Sequence, residues 1–412
     1  MNRLIKTAKK PYHYLQALKG AALFGFPGRR IKVVAITGTK GKTSTAEIVS
    51  AMLEEAGYKT ALAGTLRFKV GEKSEPNKFK MTMVGRGRLQ KFLRDAVRAK
   101  CDWAVMEMTS QGAEQFRHLF IPLDALIVTN ISPEHIESHG SYEKYVAAKL
   151  RIGTALERSR KRGKILIVND DEPETHKFLR FDVPTKLHYR VAQAKPYSTT
   201  EAGSTFAWDG GTVSTSLPGL FNISNMLAAA TFGKAIGIPS EKIRAALGKV
   251  TLIRGRMERI TLDSGAAQNF TVIVDYAHTA DSLEKAYRAF PTSRKICVLG
   301  NTGGGRDKWK RPEMAKIADE HCDEIILTNE DPYDEDPRAI LADMEKGFSK
   351  KQPEIIMDRR DAIAAALRKA QPGDAVIITG KGTDPFIMGP NGSKIPWDDA
   401  TVAREELQKV LK

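Results

Sequence analysis

The sequence has little cysteine, no long apolar run and few aromatic residues, and each shortage closes off a class of protein. Only three cysteines (Cys101, Cys297 and Cys322) occur among 412 residues. Their number is odd and their wide spacing matches no zinc motif, so neither a disulfide scaffold nor a zinc module is expected. No window reaches the roughly 18 uncharged apolar residues of a membrane-spanning helix, and no polar tract is long enough to stay unfolded. The basic N-terminus lacks the pattern of a cleaved leader, its apolar stretch being broken by Lys19. What is present is an ordinary globular composition, 42% apolar and 28% charged, in a chain long enough for two or three cores. These features point to a soluble, cytoplasmic α/β protein.

Lys and Arg number 65 against 49 Asp and Glu, a net charge of +16. Such a balance suits nucleic acid, an anionic membrane surface or polyphosphate substrates, or simply a basic solvated face. The cations are dispersed, with modest clusters at Arg29-Arg30 and from Arg158 to Arg162, and no nucleic-acid module stands out, so no nucleic-acid partner is expected. From Tyr12 to Phe26, Leu15, Leu18, Ala22 and Leu23 recur at helical spacing between Lys9-Lys10 and Arg29-Arg30. A basic amphipathic helix of this kind rests on an anionic membrane, meets a protein partner, or packs on its own first domain.

Short apolar runs at 32–37, 103–108, 125–130, 164–169, 271–275, 295–299, 324–328 and 375–379 alternate with helix-length segments. That alternation predicts α/β units with parallel sheets. Ala-rich helical patterns at 225–236 and 240–248, followed by Gly255-Arg256 and a new strand series, place a boundary near residue 255. The expected organisation is a basic segment at 1–30, a central parallel-sheet domain of P-loop ATPase type at 31–254, and a Rossmann-like α/β domain at 255–412. The stretch from Phe181 to Ser216 is less regular and reads as β-rich. Ligands of open α/β sheets bind beyond the carboxyl ends of strands, where several of these runs meet polar or glycine clusters.

One cluster carries explicit chemistry. IKVVAITGTKGKTST (Ile31–Thr45) is an apolar strand running into Gly38, Thr39, Lys40, Gly41, Lys42, Thr43 and Ser44, with a helical pattern behind them. The glycines let backbone N–H groups curl round phosphate oxygens, and the helix N-terminus adds partial positive charge. Lys42 suits the β- and γ-phosphates, and the Thr43 hydroxyl suits Mg²⁺. The strict phosphate loop would carry glycine at 36, where this chain has Ile36. ATP binding is expected; a ligase, a kinase, a motor and a transporter ATPase all remain open at this point.

Further segments narrow the choice. MEMTSQG (Met106–Gly112), TNISPEHIESHGSYEKYVAAK (Thr129–Lys149) and LFNISNMLAA (Leu220–Ala229), together with the loop, resemble the central domain of the Mur ligases. VDYAHTADSLEKA (Val274–Ala286), GNTGGGRDKWKRPEMAKIA (Gly300–Ala318), LTNEDPYDEDP (Leu327–Pro337) and ITGKGTD (Ile378–Asp384) resemble their C-terminal domain. The branch most similar is the one that adds the third residue of the peptidoglycan stem peptide.

The resemblance implies an ATP-dependent ligase in which a substrate carboxylate is phosphorylated and an amine then displaces phosphate. It implies Mg²⁺ at Thr43 and Glu107, a second metal at His135, and a carbamylated Lys149 as a metal-supporting anion; His139 is a weaker candidate. Asn222 and Asn225 are implied at the nucleotide, the second facing adenine, with Asn222 alternatively a helix cap. Arg256 and Asp275 are implied to reach ATP from the C-terminal domain, and Lys42 to act in catalysis. Thr82, Ser110, Arg117, His278, Arg306, Glu330, Asp331, Tyr333, Lys381 and Asp384 are implied around the acceptor and the amino acid.

Three departures from the family pattern matter. About 30 residues precede the phosphate-loop strand, where the family's synthetases carry a uridine-binding domain, so the uridine site is expected to be missing or rebuilt. A Thr-Thr-Pro segment is Thr82-Met83-Val84, and the motif that reads diaminopimelate with an arginine is Glu330-Asp331-Pro332-Tyr333. Two acids and no arginine favour a basic amino acid such as lysine or ornithine, unless Lys381 or Arg306 supplies the missing cation. Expected partners are therefore ATP, a basic amino acid and a peptidyl acceptor, UDP-linked or not. The alternatives are a folylpolyglutamate- or cyanophycin-type polyamide ligase, and a non-catalytic pseudoligase using the N-terminal helix for a membrane or a partner.

Overall fold

The computed structural model describes residues 3–262 and 268–412, with side chains from residue 11 onward. The chain divides into two compact units: Met1–Ser198 with Thr205–Thr215 and Leu220–Val250, and Thr199–Ser204 with Ser216–Gly219 and Thr251–Lys412.

In the first unit, α1 (Arg3–Leu23) precedes β1 (Lys32–Thr37), α2 (Lys42–Glu55), β2 (Thr60–Ala63), β3 (Arg67–Val70) and β4 (Lys73–Pro76). Then come α3 (Arg86–Arg98), β5 (Trp103–Glu107), α4 (Ser110–Glu114), β6 (Ala125–Val128), α5 (Ile136–His139), α6 (Tyr142–Glu157), β7 (Ile165–Asn169) and β8 (Thr185–Tyr189). The sheet order is β4-β3-β2-β5-β1-β6-β7-β8. The run from β2 to β8 is parallel, and β3 and β4 extend it as antiparallel edge strands. Central strands covered on both faces read as unbroken apolar runs, which is why β1, β5, β6 and β7 fall on the predicted segments. The irregular stretch contains β8 and a three-stranded sheet of β9 (Tyr197–Thr200), β10 (Gly203–Trp208) and β11 (Gly211–Thr215). The helix α7 (Leu220–Ala235) begins earlier than the Ala-rich pattern suggested, so Asn222 lies inside it and is no cap.

The N-terminal helix packs on the first unit through its small residues rather than through its leucines. Leu15 is 60% and Leu23 is 72% exposed, whereas Ala17 and Ala21 are buried. Packing is decided by backbone approach: a Cβ on Gly20 would lie 3.1 Å from the Cα of Gly87, so small residues bring α1 onto α3 and turn the leucines outward.

The second unit holds a six-stranded sheet in the order β12-β13-β17-β14-β15-β16, made of β12 (Glu258–Arg259), β13 (Thr271–Asp275), β14 (Lys295–Leu299), β15 (Glu324–Leu327), β16 (Glu354–Ile355) and β17 (Ala375–Thr379). All its pairs are parallel except β12 with β13. Val272, Val274, Ile296, Val298, Ile326, Val376 and Ile378 from the strands meet Ile363, Leu367 and Leu407 from covering helices in its core. Here one expectation is corrected: Cys297 and Cys322 form a disulfide. Their separation in sequence is undone by the helix Lys310–His321, which returns the chain beside β14 just before β15. Cys101 remains a buried free thiol.

Candidate active site

In the first unit β5, β1 and β6 are adjacent, so their carboxyl ends deliver Glu107, the loop from Gly38 and the Thr129-Asn130 pair to one place. The loop has no room for side chains. A Cβ on Gly38 would overlap Oγ1 of Thr129, and one on Gly41 would lie 2.5 Å from Oδ1 of Asn225. Gly41 also has φ +79°, a left-handed turn that suits glycine. The turn is braced from β6: the Thr39 and Lys40 N–H groups donate to Asn130 Oδ1 at 3.1 and 2.7 Å. Lys42 donates from Nζ to the carbonyls of Gly38 and Thr39, both at 2.8 Å. Its amine thus lies over the turn. Ser44 is buried on the first turn of α2.

Glu107 is the acidic centre. It accepts from the Thr43 hydroxyl at 3.0 Å, from the Thr65 N–H at 2.7 Å and from the Thr65 hydroxyl at 3.0 Å. Thr65 in turn shares a 2.8 Å hydrogen bond with Thr82, bringing that predicted acceptor residue into the network. An anionic carboxylate beside a hydroxyl, above a glycine cradle that a Cβ would fill, fits a nucleotide phosphate with a hard divalent cation.

Lys149, on α6, is buried and donates to the Gly38 carbonyl at 2.6 Å. Burial, and then the charge of Lys42, push its amine well below the usual lysine range. Tyr145, one turn earlier, pairs its hydroxyl with Thr39 Oγ1 at 2.7 Å. The His135 ring centroid lies 6.3 Å from that of Tyr145, at the start of α5, where His135 has φ 58°. His139 is buried and bonds Ser110 Oγ at 3.1 Å.

Sequence reasoning missed Thr65, Asn130, Glu134 and Tyr145. Glu134 forms a 2.9 Å ion pair with Lys40. Asn130, Glu134 and Tyr145 were all within the segment read for His135 and Lys149; Thr65 carried no signal, being recruited from the end of β2. Of the asparagines, Asn225 accepts from Thr45 at 3.2 Å and abuts Gly41, while Asn222 is buried in α7. Arg117 clamps Gln115 Oε1 and donates to the Met83 carbonyl, next to Thr82.

The second unit gathers its candidates at two places. Asp275 accepts from the Met257 and Ala277 N–H groups, both at 2.7 Å, while the Arg256 guanidinium lies 4.4 Å from the Tyr276 ring and His278 stacks on its edge. Beyond β14, β15 and β17 sit Glu330, Asp331 and Lys381. Lys381 is buried, paired with Asp331 at 2.9 Å and Asp384 at 3.2 Å, and it donates to the Phe386 carbonyl. Its charge is thereby committed within the fold. Glu330 is buried beneath Gly380, accepts from Thr302 at 2.6 Å, and burial pushes its carboxyl above the usual range. Arg306 is exposed near the Tyr333 side chain, whose phenol its charge lowers against the effect of burial.

The central part, residues 36–233, matches the Mur ligase middle domain, and residues 255–382 match the Mur ligase glutamate ligase domain. A UDP-N-acetylmuramyl-tripeptide synthetase of Roseiflexus sp. (strain RS-1) is 37% identical over 95% of this chain and 81% of its own length. The chain belongs to the Mur ligase family. A UDP-N-acetylmuramoyl-L-alanyl-D-glutamate–2,6-diaminopimelate ligase of Geobacillus kaustophilus (strain HTA426) is 35% identical over 95% of this Mur ligase and 82% of the relative. Among solved structures, a UDP-N-acetylmuramoyl-L-alanyl-D-glutamate–2,6-diaminopimelate ligase has TM-score 0.61 at 28% identity, covering 92% of this chain and 78% of the other. The Mycobacterium tuberculosis folylpolyglutamate synthase with ADP and AMPPCP has TM-score 0.70 at 17% identity, covering 91% and 96%, a likeness of fold alone. The Mur ligase is thus an ATP-dependent ligase, with the α/β architecture its strand pattern predicted. Among its described residues no helix is long and apolar enough to cross a membrane.

Proposed function

We propose that this Mur ligase joins an amino acid to a carboxylate-terminated muramyl-peptide acceptor in the cytoplasm, with a basic amino acid preferred to diaminopimelate. The observation that carries the reading is the Thr43–Glu107 contact above the Gly38–Gly41 cradle, with the Lys42 and Lys149 amines on the same turn. The acceptor carboxylate attacks the γ-phosphorus of ATP and ADP leaves; the amine then attacks the acyl carbon and phosphate leaves. Loop N–H groups and Lys42 hold the phosphates and offset the charge that separates two anionic reactants. Thr43 and Glu107 would hold Mg²⁺, which supplies positive charge against phosphate oxygens. His135 is assigned to a second metal. Lys149, favoured as a neutral amine by its burial, is assigned as a carbamate: its nitrogen adds to CO₂ and releases a proton.

Thr82, Ser110 and Arg117 are assigned to the acceptor. Glu330, Asp331, Tyr333 and Asp384 are assigned to the amino acid, with His278 and Arg306 beside them. The preference for a basic side chain is supported at Lys381, whose amine is committed to Asp331 and Asp384; Arg306, exposed beside Tyr333, is the one cation of the two named from the sequence that stays open to a distal carboxylate.

The test is ATP-dependent phosphate release with UDP-N-acetylmuramyl-dipeptide and lysine, ornithine or diaminopimelate, with and without bicarbonate. Release that requires both the acceptor and lysine or ornithine supports the reading. Release with diaminopimelate alone overturns the amino-acid preference, and none with any donor overturns the acceptor assignment in favour of a polyamide ligase or a non-catalytic role.

A further inference from the structure

Arg86 and Arg117 hold two guanidinium groups close together in the first unit, and their partners are all neutral. Arg86, at the start of α3, donates from Nε to the Gln115 carbonyl at 2.9 Å, and its Nη2 meets Nδ1 of His13 on α1. Arg117 clamps Gln115 Oε1 from Nε and Nη2 at 3.1 and 2.7 Å, and its Nη1 donates to the Met83 carbonyl. A His13 nitrogen that accepts from a guanidinium is a neutral one.

Structural arginines of this chain are treated differently. Arg67 is paired with Glu47, Arg311 with Glu335 and Asp343, and Arg359 with Asp399. Among the described residues neither Arg86 nor Arg117 has such a carboxylate. Burial lowers both guanidiniums, and the charge of Arg86 lowers Arg117 further. Two cations aimed by dipoles, partly desolvated and left uncompensated, are a cost that an oxyanion relieves through charge-assisted hydrogen bonds. Nη1 of Arg86 makes no hydrogen bond among the described residues and remains available as a donor.

The pair also has an address. Arg117 bonds the carbonyl of Met83, next to Thr82, and Thr82 is joined through Thr65 to Glu107. The cations therefore continue the network that starts at the phosphate loop.

We infer that Arg86, aimed by His13, forms with Arg117 a two-guanidinium cradle for a second oxyanion of the acceptor, a phosphate or a carboxylate other than the one activated. The inference rests on the acceptor reading above. Arg86 is a binding residue, and His13 is a positioning residue that makes α1 part of acceptor recognition.

The test measures equilibrium binding of UDP-N-acetylmuramyl-dipeptide by calorimetry without turnover, alongside KM values for acceptor and ATP and the melting temperature. Arg86→Ala is expected to weaken acceptor binding about 10- to 100-fold, the scale of a charge-assisted contact, with ATP KM and melting temperature unchanged. Arg86→Lys should recover part of the loss, and His13→Ala should raise acceptor KM several-fold with ATP KM unchanged. Arg88→Ala, which removes a guanidinium lying 4.4 Å from the Phe79 ring, should stay within twofold. N-acetylmuramyl-dipeptide without the nucleotide separates the sources: a loss that persists assigns a peptide carboxylate, and one confined to the UDP-linked acceptor assigns a phosphate. Binding within twofold of wild type in Arg86→Ala, a matching loss for ATP, or no acceptor binding by the wild-type chain overturns the cradle. Acceptor binding without phosphate release for any amino acid tested overturns the proposed donor choice instead and leaves the cradle standing.

Discussion

The Lys149 amine lies 2.6 Å from the carbonyl oxygen of Gly38, so α6 touches the phosphate turn through a buried amine. A lysine in that position is placed at a cost to folding, because the cation loses its water and faces Lys42.

Replacing it separates the two consequences. Lys149→Met is expected to cut turnover at least about 100-fold, the scale of losing a key electrostatic group. It should also raise stability near neutral pH in CO₂-free buffer. The sign follows from linkage: the unfolded chain keeps a proton on Lys149 up to about its ordinary pKa of 10.5, which the folded chain gives up well below that value. Wild-type stability therefore rises with pH in this window, and the variant should lose that slope in denaturant titrations. Equal slopes would contradict the assignment of a neutral amine.

Glu107 offers a second handle. Glu107→Gln preserves shape but removes the charge that faces Thr43, so kcat should fall about 100-fold or more while the Mg²⁺ concentration for half-maximal rate rises. The fold should survive, since Thr65 can still donate to the retained oxygen. A variant with unchanged Mg²⁺ dependence would remove Glu107 from the metal site.

Donor choice is tested at Tyr333. With Lys381 held by Asp331 and Asp384, restoring a guanidinium through Tyr333→Arg should move the preference from lysine toward diaminopimelate by about 10- to 100-fold in kcat/KM. Competition assays with both amino acids read this directly, and no shift would detach residue 333 from donor recognition.

His118 supplies a pH dependence unrelated to catalysis. Burial, and then the charge of Arg151, lower its pKa from 6.5 to about 4. Below pH 6.5 the unfolded chain takes up a proton there that the folded chain refuses, so stability falls as pH drops toward 4. At pH 5 the contribution is about 2 kcal/mol, at roughly 1.4 kcal/mol per pH unit. His118→Gln should flatten unfolding free energy between pH 6.5 and 5 relative to wild type. An unaltered profile would mean that the acid sensitivity arises elsewhere.

The readable parts of this molecule were those where one physical constraint acts alone. Strands covered on both faces must be apolar, so β1, β5, β6, β7, β13, β14, β15 and β17 stand out, and a glycine turn between strand and helix announces phosphate chemistry. Features settled by two distant segments were less legible. Cys297 and Cys322 look unrelated until a helix returns the chain. The buried face of α1 follows from a glycine on α3, which leucine spacing within α1 cannot show. Thr65 serves Glu107 only because β2 pairs with β5, and Arg86 is given its role by His13, 73 residues earlier.

Glu107, Gly38 and Thr129 stand at the ends of three strands that are direct hydrogen-bonding neighbours. Their separation across the sheet is thereby inherited from its repeat of about 4.8 Å per strand, and the loops need only point their groups upward. The sheet acts as a ruler for the phosphate chemistry. Loop substitutions should change what is held there, whereas a one-residue slip of β5 against β1 would move Glu107 to the opposite face and erase the site with the core intact.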